Sequence, residues 1–370
     1  MRASSDTIAV FLPSLAGGGA ERIMLTLGAT FAAEGRRVDL VLATCSGPYL
    51  DQVPATVRLV DLGTRRVLTS LPRLVAYLRR ERPRAMISAL GHTNIVALWA
   101  RRLAGVATRM IVTEHGSPPR PPQRSGPDRT LFAILMRRCY PGAHSVVAVS
   151  HGVADDVAAR LGLPRGRIDV IYNPVVTPEL VASARAPVDH PWFAPGQPPV
   201  VLNVGRLHRQ KDQPTLIRAF ERVAARSAAR LVILGEGADR AALEALVEAR
   251  GLAGRVDLPG FVANPYAYMA RARAFVLSSL WEGLPTALIE ALACGCPVVS
   301  TDCRSGPREI LEDGKWGRLV PVGAVDQLAT AMLAVLDLPA NPAGSMATAR
   351  FTPAASGARY LRLIEDPGFG

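Results

Sequence analysis

Residues 275–302, FVLSSLWEGLPTALIEALACGCPVVSTD, decide the fold. Two short apolar runs, FVLSS and PVVSTD, enclose a segment whose apolar residues recur with helical spacing, and Gly295 and Pro297 end that segment. A strand, a helix and a second strand in this order predict a βαβ unit with parallel strands. Ligands of such units bind at the carboxyl ends of the strands, which is where WEGLPT falls.

Two glutamates, Glu282 and Glu290, bracket the start of the helical segment. Pro285 suits the first turn of the helix, because its ring presets φ and it has no amide hydrogen. Glu282 then lies in the loop before the helix, and Glu290 about two turns inside it. The outward-facing amides between them belong to Gly283, Leu284 and Thr286. Such amides bind phosphate, and acceptors on either side suit a sugar nucleotide. In the alternative interpretation, Glu282 caps the helix and Glu290 is a solvated surface residue.

Length and composition predict a folded protein of two domains. The chain has 370 residues, too many for one core, and 49% of them are hydrophobic and 20% charged. No stretch approaches the roughly 18–20 apolar residues of a membrane span, and Pro13 interrupts the first apolar run, which we interpret as a strand. The five cysteines lack CxxC spacing, which favours free thiols in a reducing cytoplasm over a metal site.

The positive charge is concentrated in the first half of the chain. Of a net charge of +12, residues 1–180 supply +10 (23 Lys+Arg against 13 Asp+Glu) and residues 181–370 supply +2 (20 against 18). This asymmetry predicts an anionic partner: a membrane surface, a nucleic acid or a phosphorylated substrate. Candidates for membrane contact are the loop 117–129 and the pairs Arg79-Arg80, Arg101-Arg102 and Arg137-Arg138. The alternative is that these arginines form ordinary solvated faces.

Short apolar runs alternate with helical segments along the whole chain, a pattern typical of a parallel, doubly wound sheet. The proline-rich residues 181–199 interrupt the alternation and predict a linker. We therefore predict a first domain over residues 1–180 and a second over residues 200–351. A last helix, at residues 352–366, is expected to return to the first domain.

Two turns of the first domain carry candidate site residues. They are Gly17, Gly18, Gly19, Glu21 and Arg22 after the first strand, and His115 at the end of a later one. Glycines at such a turn let the backbone approach an anion or a sugar at a helix N-terminus. Arg22 stands where the dinucleotide fingerprint needs its third glycine, so a nicotinamide cofactor is not expected. A histidine at a strand end followed by glycine favours a site residue over a core residue.

Three turns of the second domain follow strands at the corresponding edge. Their candidate residues are Gly205, Arg206, Lys211, Gly235, Glu236 and Val262. Arg206 and Lys211 lie five residues apart across a strand-to-helix turn, so both can reach one diphosphate. The turns at Glu236 and Val262 offer edges for a flat base.

The motifs GRLxxQK, GEG, ExxxxxxxE and TDCxSGPxEI occur in this order in the second domain. Together with GGGAER and EHG in the first domain, they resemble a retaining glycosyltransferase of family 4, over nearly the full chain. The resemblance implies the α/β GT-B fold, in which two Rossmann-like, doubly wound parallel-sheet domains face each other across a cleft. The segment STDCRSGPREI, residues 300–310, resembles members that build bacterial surface polysaccharides or lipid-linked glycans.

The resemblance also implies roles. Arg206 and Lys211 would bind the donor's diphosphate and offset the charge of the leaving group, in place of a metal ion or other cofactor. Glu290 would hold the ribose hydroxyls, Glu282 would face the donor sugar, and His115 would lie beside that sugar. The other implied donor contacts are Gly17, Gly18, Gly19, Gly205, Gly235, Glu236, Val262, Gly283, Leu284, Pro285 and Thr286. The implied acceptor contacts are Glu21 and Arg22.

The implied substrates are a nucleotide-sugar, usually a UDP-sugar, and a glycan or lipid-linked acceptor. The implied location is the cytoplasm, at the inner face of the membrane if the basic domain binds lipid. Enzymes that use GDP-mannose share every motif named above, so the base stays open. A sugar-nucleotide epimerase on the same fold and a non-catalytic regulator also stay open. A nucleic-acid-binding protein is disfavoured, because the 5% of aromatic residues offer few stacking platforms.

Overall fold

The computed structural model describes residues 5–116, 127–338 and 344–366. The chain divides into two compact units, the first formed by Met1–Pro174 with Pro353–Gly370 and the second by Val175–Thr352. Each unit is built around one parallel sheet. The prediction of two doubly wound parallel-sheet domains is therefore confirmed.

The sheet of the first unit has seven strands among the described residues, in the order β3-β2-β1-β4-β5-β6-β7. The strands are β1 (Ser5–Leu12), β2 (Arg37–Leu42), β3 (Val57–Asp61), β4 (Pro83–Ala89), β5 (Arg109–Glu114), β6 (Ser145–Ala148) and β7 (Ile168–Val170). The helices between them are α1 (Gly19–Ala33), α2 (Leu71–Glu81), α3 (Gly91–Ala104), α4 (Pro127–Cys139) and α5 (His151–Leu161). The strand order reverses between β1 and β4, so the loops after these two strands flank the crevice where ligands of open α/β sheets bind.

The sheet of the second unit has six strands in its described part, in the order β10-β9-β8-β11-β12-β13. They are β8 (Val200–Val204), β9 (Arg230–Leu234), β10 (Val256–Gly260), β11 (Ala274–Leu277), β12 (Val298–Thr301) and β13 (Arg318–Val320). The helices are α6 (Pro178–Ser183), α7 (Gln213–Ala224), α8 (Arg240–Ala249), α9 (Pro265–Met269), α10 (Thr286–Ala293), α11 (Pro307–Ile310), α12 (Val325–Leu336) and α13 (Gly344–Thr348). Here the order reverses between β8 and β11, which brings the loops after these strands side by side.

The deciding stretch folds as β11, α10 and β12, with one difference at the start of the helix. Pro285 is the capping residue, with φ −69° and ψ 102°, and the helix begins at Thr286. It ends at Ala293, and Gly295 follows with φ 75°, a left-handed conformation that glycine adopts without steric strain. Both strands are buried throughout, as expected for a sheet covered on two faces.

The proline-rich segment after residue 174 is fastened to the second unit, whereas its composition predicts a first domain up to residue 180 and a linker over residues 181–199. The amides of Val175 and Val176 donate to the carbonyl of Phe351 at 2.8 and 2.9 Å. His190 Nε2 lies 3.0 Å from a carboxylate oxygen of Asp257. Two of its prolines occupy first turns of short helices, Pro178 in α6 and Pro191 in a 3₁₀ turn, where a missing amide hydrogen is tolerated.

The last helix, α14 (Pro353–Glu365), belongs to the first unit. Tyr360 and Ile364 are part of the hydrophobic core of that unit. Ser356 Oγ donates to the carbonyl of Tyr172 at 2.7 Å, and Arg36 forms an ion pair with Glu365. These contacts anchor α14 on α1 and on the end of the sheet.

Candidate active site

A buried ion pair joins the two central loops of the second unit. Lys211 Nζ, after β8, lies 2.6 Å from Glu282 Oε1, after β11, and the two side chains are 18% and 7% exposed. Ser279 Oγ donates to the same carboxylate oxygen at 2.6 Å, and Gln210 Nε2 donates to the other at 3.3 Å. Three donors thus hold Glu282 in place. Gln210 and Ser279 are site residues that the sequence interpretation missed.

The ion pair changes the predicted arrangement of the two cations. The sequence assigns Lys211 and Arg206 jointly to one diphosphate, but in the structure Lys211 points to Glu282, while Arg206 is exposed. Within the described residues Arg206 makes no ion pair. Lys211 is therefore a fixed, partly neutralised cation, and Arg206 is an exposed one that remains available to an anion.

Helix α10 presents its N-terminus beside this pair. Gly283, Leu284 and Pro285 are buried and form the turn before the helix, and Thr286 is partly exposed at its first position. The first amides of a helix have no partner within the helix and lie at its positive end. Glu290 is 6% exposed, so the interpretation as a solvated surface residue is wrong. Burial separates Glu290 from bulk water and favours a structural or ligand-binding role.

The glycines of this unit allow the loops after β8 and β9 to touch. A Cβ on Gly235, whose φ is 138°, would lie 2.0 Å from the carbonyl oxygen of Gly205. A Cβ on Gly237 would lie 2.1 Å from the carbonyl oxygen of Leu207. Side chains at these positions would force the loops apart, and the loop that carries Lys211 would move with them.

The predicted base-binding turns are partly engaged within the fold. The carbonyl of Glu236 accepts from the amide of Leu207 at 2.9 Å, and hydrogen bonds from Arg240 lower the pKa of the Glu236 carboxyl. Val262 is half-buried, and its neighbour Phe261 is 77% exposed. An exposed aromatic ring next to Val262 offers a stacking surface for a flat base.

In the first unit, Glu21 fastens the glycine loop. Its Oε2 accepts from the amide of Gly18 at 2.8 Å, and the side chain is 8% exposed. A carboxylate near a helix N-terminus is favoured by the positive end of the helix. Gly17 has φ 100°, Gly19 begins α1, and Arg22 is half-buried. Glu21 thus shapes this loop, whereas the sequence interpretation assigns it to the acceptor.

His115 follows β5 and is held in one tautomer. Its Nε2 lies 3.1 Å from Thr113 Oγ1, whose hydrogen is donated to the carbonyl of Ser88 at 2.9 Å. Nε2 must then be the donor, which leaves Nδ1 as an acceptor. Burial lowers the pKa of His115 to about 4, so the ring is neutral at pH 7. A neutral ring can accept a hydrogen bond from a hydroxyl.

A buried polar cluster supports the strand end that bears His115. The Glu114 carboxylate accepts a hydrogen bond from the Tyr140 hydroxyl, and Asn94 Nδ2 lies 3.0 Å from that hydroxyl and 3.4 Å from Glu114 Oε1. Arg160 approaches Glu114 to 3.9 Å, and burial raises the pKa of the Glu114 carboxyl. The sequence interpretation missed this cluster, although a glutamate directly before His115 in an otherwise apolar strand is a signal for it.

The three arginine pairs of the first unit differ in the contacts of their two members. One member of each pair donates to a backbone carbonyl: Arg79 to Leu103, Arg101 to Thr108 and Arg137 to Arg160. The other members, Arg80, Arg102 and Arg138, are exposed, as are Arg79 and Arg137, and Arg80 forms an ion pair with Glu81. Half of these arginines therefore have structural roles. Residues 117–126, most of the loop predicted as a membrane contact, lie outside the described residues.

Residues 5–116, 127–338 and 344–366 show neither a membrane-spanning helix nor a metal-binding cluster. No helix there is long and apolar enough to cross a membrane. No group of three or more His, Cys, Asp and Glu side chains there is placed to hold a metal ion. The five cysteines are free thiols.

Two parallel-sheet units, with glycine-rich turns and an ion pair at the carboxyl edge of the second sheet, fit the GT-B fold of glycosyltransferases. Residues 17–178 match the family model Glycosyltransferase Family 4, and residues 188–350 match Glycosyl transferases group 1. The chain belongs to glycosyltransferase family 4, and it is a glycosyltransferase. The resemblance predicted from its motifs is confirmed.

Two relatives that span most of the chain are named for bacterial glycans. The chain is 30% identical to the lipopolysaccharide core biosynthesis glycosyltransferase LpsE of Rhizobium meliloti, over 85% of this chain and 84% of the relative. It is 29% identical to the Campylobacter jejuni N-acetylgalactosamine-N,N'-diacetylbacillosaminyl-diphospho-undecaprenol 4-alpha-N-acetylgalactosaminyltransferase, over 85% and 86% of the two chains. The crystal structure of Anabaena HepE in complex with UDP and glucose has a TM-score of 0.77, at 19% identity, and covers 97% of this chain and 99% of that chain.

Proposed function

We propose that this glycosyltransferase moves a sugar from a nucleotide-sugar, a UDP-sugar in the first instance, to a glycan or lipid-linked acceptor, with retention at the anomeric carbon. The product would belong to a bacterial surface polysaccharide or to its lipid-linked precursor. Support comes from the relatives, which are named for lipopolysaccharide cores and for a diphospho-undecaprenol glycan, and from the UDP held by HepE. The basic first unit suits work at the inner face of the cytoplasmic membrane.

One observation carries the donor assignment: the Lys211–Glu282 ion pair lies at the crevice between β8 and β11, with exposed Arg206 in the same loop. A diphosphate there meets a cation that Glu282 has already fixed, so Lys211 loses little conformational entropy when the diphosphate binds. Arg206 folds onto the phosphates from solvent, and the first amides of α10 add donors at a positive helix end. The turn at Phe261 and Val262 receives the base.

The proposed reaction exchanges one bond at the anomeric carbon and transfers one proton. The bond between the anomeric carbon and the phosphate oxygen breaks, and the electron pair leaves with the diphosphate. The acceptor hydroxyl attacks from the same face, and its proton passes to the departing phosphate oxygen. Lys211 and Arg206 stabilise the charge that develops on that oxygen. No second carboxylate of the kind that glycosidases use is needed.

The remaining groups position the donor. Glu290 accepts hydrogen bonds from the ribose hydroxyls, which its burial makes selective. Glu282 holds the Lys211 ammonium group in position through the ion pair, and it faces the sugar. For His115 we propose a hydrogen bond from a sugar hydroxyl to Nδ1, the ring nitrogen left free by the contact with Thr113.

The first experiment is a thermal-shift panel of UDP-, GDP- and ADP-sugars. The correct donor stabilises the protein by about 2.7 kcal/mol at a hundredfold excess over Kd. Absence of stabilisation by every nucleotide-sugar would contradict the proposed donor site. A product whose anomeric configuration is inverted relative to the donor would contradict retention.

The second experiment measures turnover of Lys211→Ala and Arg206→Ala. Each should lose about 2–5 kcal/mol of transition-state stabilisation, which is roughly a 30- to 5,000-fold fall in kcat/KM. Arg209→Ala is the matched control, since Arg209 is an exposed arginine of the same loop. Turnover should survive excess EDTA. Loss with chelator and recovery with Mg²⁺ would show that the two cations do not replace a metal.

A further inference from the structure

The first unit contains an apolar pocket of about 640 Å³. It opens beside the loops that follow β1 and β2, and α3 and α4 form one side of it. Its apolar wall consists of Val67, Leu68, Ile95, Trp99, Phe132 and Leu135. The volume lies within the roughly 300–1,000 Å³ that is typical of ligand sites. Aliphatic side chains do not hydrogen-bond hydroxyls, so this wall suits a hydrocarbon. Apart from two arginines, the polar residues of the lining are Ser14, Thr44, Ser46 and His92.

The rim of the pocket is basic. Arg65 and Arg66 line it, and no aspartate or glutamate does. Both arginines are exposed, and within the described part of the chain neither guanidinium forms an ion pair. Arg58, by contrast, is paired with Asp39. Two adjacent unpaired guanidinium groups are suited to a phosphate or diphosphate group.

Leu68, beside these arginines, is 61% exposed. An exposed leucine at the mouth of an apolar pocket gains by being covered, because apolar surface is then removed from water. The pocket therefore joins an apolar wall, an uncovered leucine and a pair of cations within one loop and two helices.

The pocket adjoins the strand end that bears His115. A Cβ on Gly91 would lie 2.9 Å from Phe132 Cζ, on the pocket wall, and 3.6 Å from Glu114 Oε1. Glu114 directly precedes His115 in the chain. The Phe132 side of the pocket wall therefore lies near the strand end that bears His115.

We propose that this pocket binds the lipid of the acceptor: the hydrocarbon chain lies on the wall of Trp99, Phe132 and Leu135, and its phosphate group binds Arg65 and Arg66. This inference rests on the proposed function, and it narrows the acceptor from a glycan in general to a glycan on a phosphorylated lipid. The same chemistry could recognise a free phosphate alone, and the experiment separates the two.

The test titrates farnesyl diphosphate, farnesol and inorganic diphosphate into the full chain by calorimetry. The nucleotide that binds in the thermal-shift panel is present at saturation, so that the second unit is occupied. Farnesyl diphosphate should bind at least tenfold more tightly than farnesol or diphosphate alone. Equal affinity for farnesyl diphosphate and diphosphate would overturn the proposal, because the wall would then contribute nothing.

Variants locate the binding. The double substitution Arg65→Gln with Arg66→Gln should raise the Kd of farnesyl diphosphate about 10- to 100-fold and leave farnesol unchanged, since charge-assisted hydrogen bonds are lost. Leu68→Ser should weaken farnesol and farnesyl diphosphate by a similar factor. All three side chains are exposed, so these substitutions leave the core intact.

The matched control is Arg102→Gln with Leu103→Ser, an exposed arginine and leucine at the end of α3 that do not line the pocket. It should leave all three affinities unchanged. Equal weakening by the control would overturn the assigned site. Normal binding of a nucleotide-sugar without binding of farnesyl diphosphate would refute this inference and leave the proposed function standing. Binding of farnesyl diphosphate without that of any nucleotide-sugar would refute the proposed function, and the acceptor role with it.

Discussion

The Lys211–Glu282 ion pair should be thermodynamically coupled, and a double-mutant cycle with Lys211→Met and Glu282→Gln measures that coupling. Lys211→Met leaves a carboxylate that is 7% exposed without its cation. Removing one partner of a fully buried pair costs about 3–5 kcal/mol of unfolding free energy. Here Ser279 and Gln210 still donate to Glu282, so we expect about 2 kcal/mol.

Glu282→Gln should be milder. Lys211 is 18% exposed, so water can solvate its ammonium group when the carboxylate is gone, and the expected loss is about 1 kcal/mol. In the double variant neither charge is stranded, and its loss should be about 1.5 kcal/mol rather than the sum of the two. The coupling energy is then about 1.5 kcal/mol.

The assay is urea unfolding followed by tryptophan fluorescence, with linear extrapolation to water. In a Trp99→Phe background, the remaining tryptophans all belong to the second unit: Trp192, Trp281 and Trp316. The control cycle uses the more exposed pair of Arg240 and Glu236, whose atoms approach to 2.7 Å with side chains 28% and 55% exposed. Its coupling should be below about 0.5 kcal/mol. Equal coupling in both cycles would refute the argument from burial.

Three further outcomes are expected. Burial lowers the pKa of His115 and of His144 to about 4 in the folded protein, so on acidification the unfolded chain binds protons before the folded one does. The unfolding free energy should therefore fall between about pH 6.5 and pH 4. Urea titrations at several pH values should show this fall, and it should be smaller in His115→Asn. Glu290→Gln should mainly raise the donor KM, about 5- to 100-fold, and Glu282→Gln should mainly lower kcat; steady-state kinetics in which both change KM alone would contradict these roles. In liposome flotation the protein should bind anionic vesicles at low salt, with about 1 kcal/mol of binding free energy per arginine near the surface. Equal recovery with neutral vesicles would show that these charges do not direct the protein to a membrane. This binding should weaken when one exposed arginine of each pair becomes glutamine: Arg80, Arg102 and Arg138.

Much of the fold could be predicted because its signals are local. The strands that flank α10 are buried on both faces, so each is a short apolar run in the sequence. The apolar residues of the helix between them recur with helical spacing. The order of these elements along the chain was sufficient for two parallel doubly wound sheets. Strand β13 was not predicted. It has three residues, of which only Val320 is buried, so its sequence shows no alternation of apolar and polar residues.

The sequence by itself named Lys211 and Glu282, and tertiary structure alone decided that they meet. They lie 71 residues apart in the chain, and β9 and β10 come between them in sequence. The sheet places β8 directly beside β11, and this neighbourhood carries one loop onto the other. No local pattern encodes which strands become neighbours, because that choice is settled by the packing of whole units. The same holds for the apolar pocket of the first unit, whose lining comes from separate segments between Pro13 and Leu135.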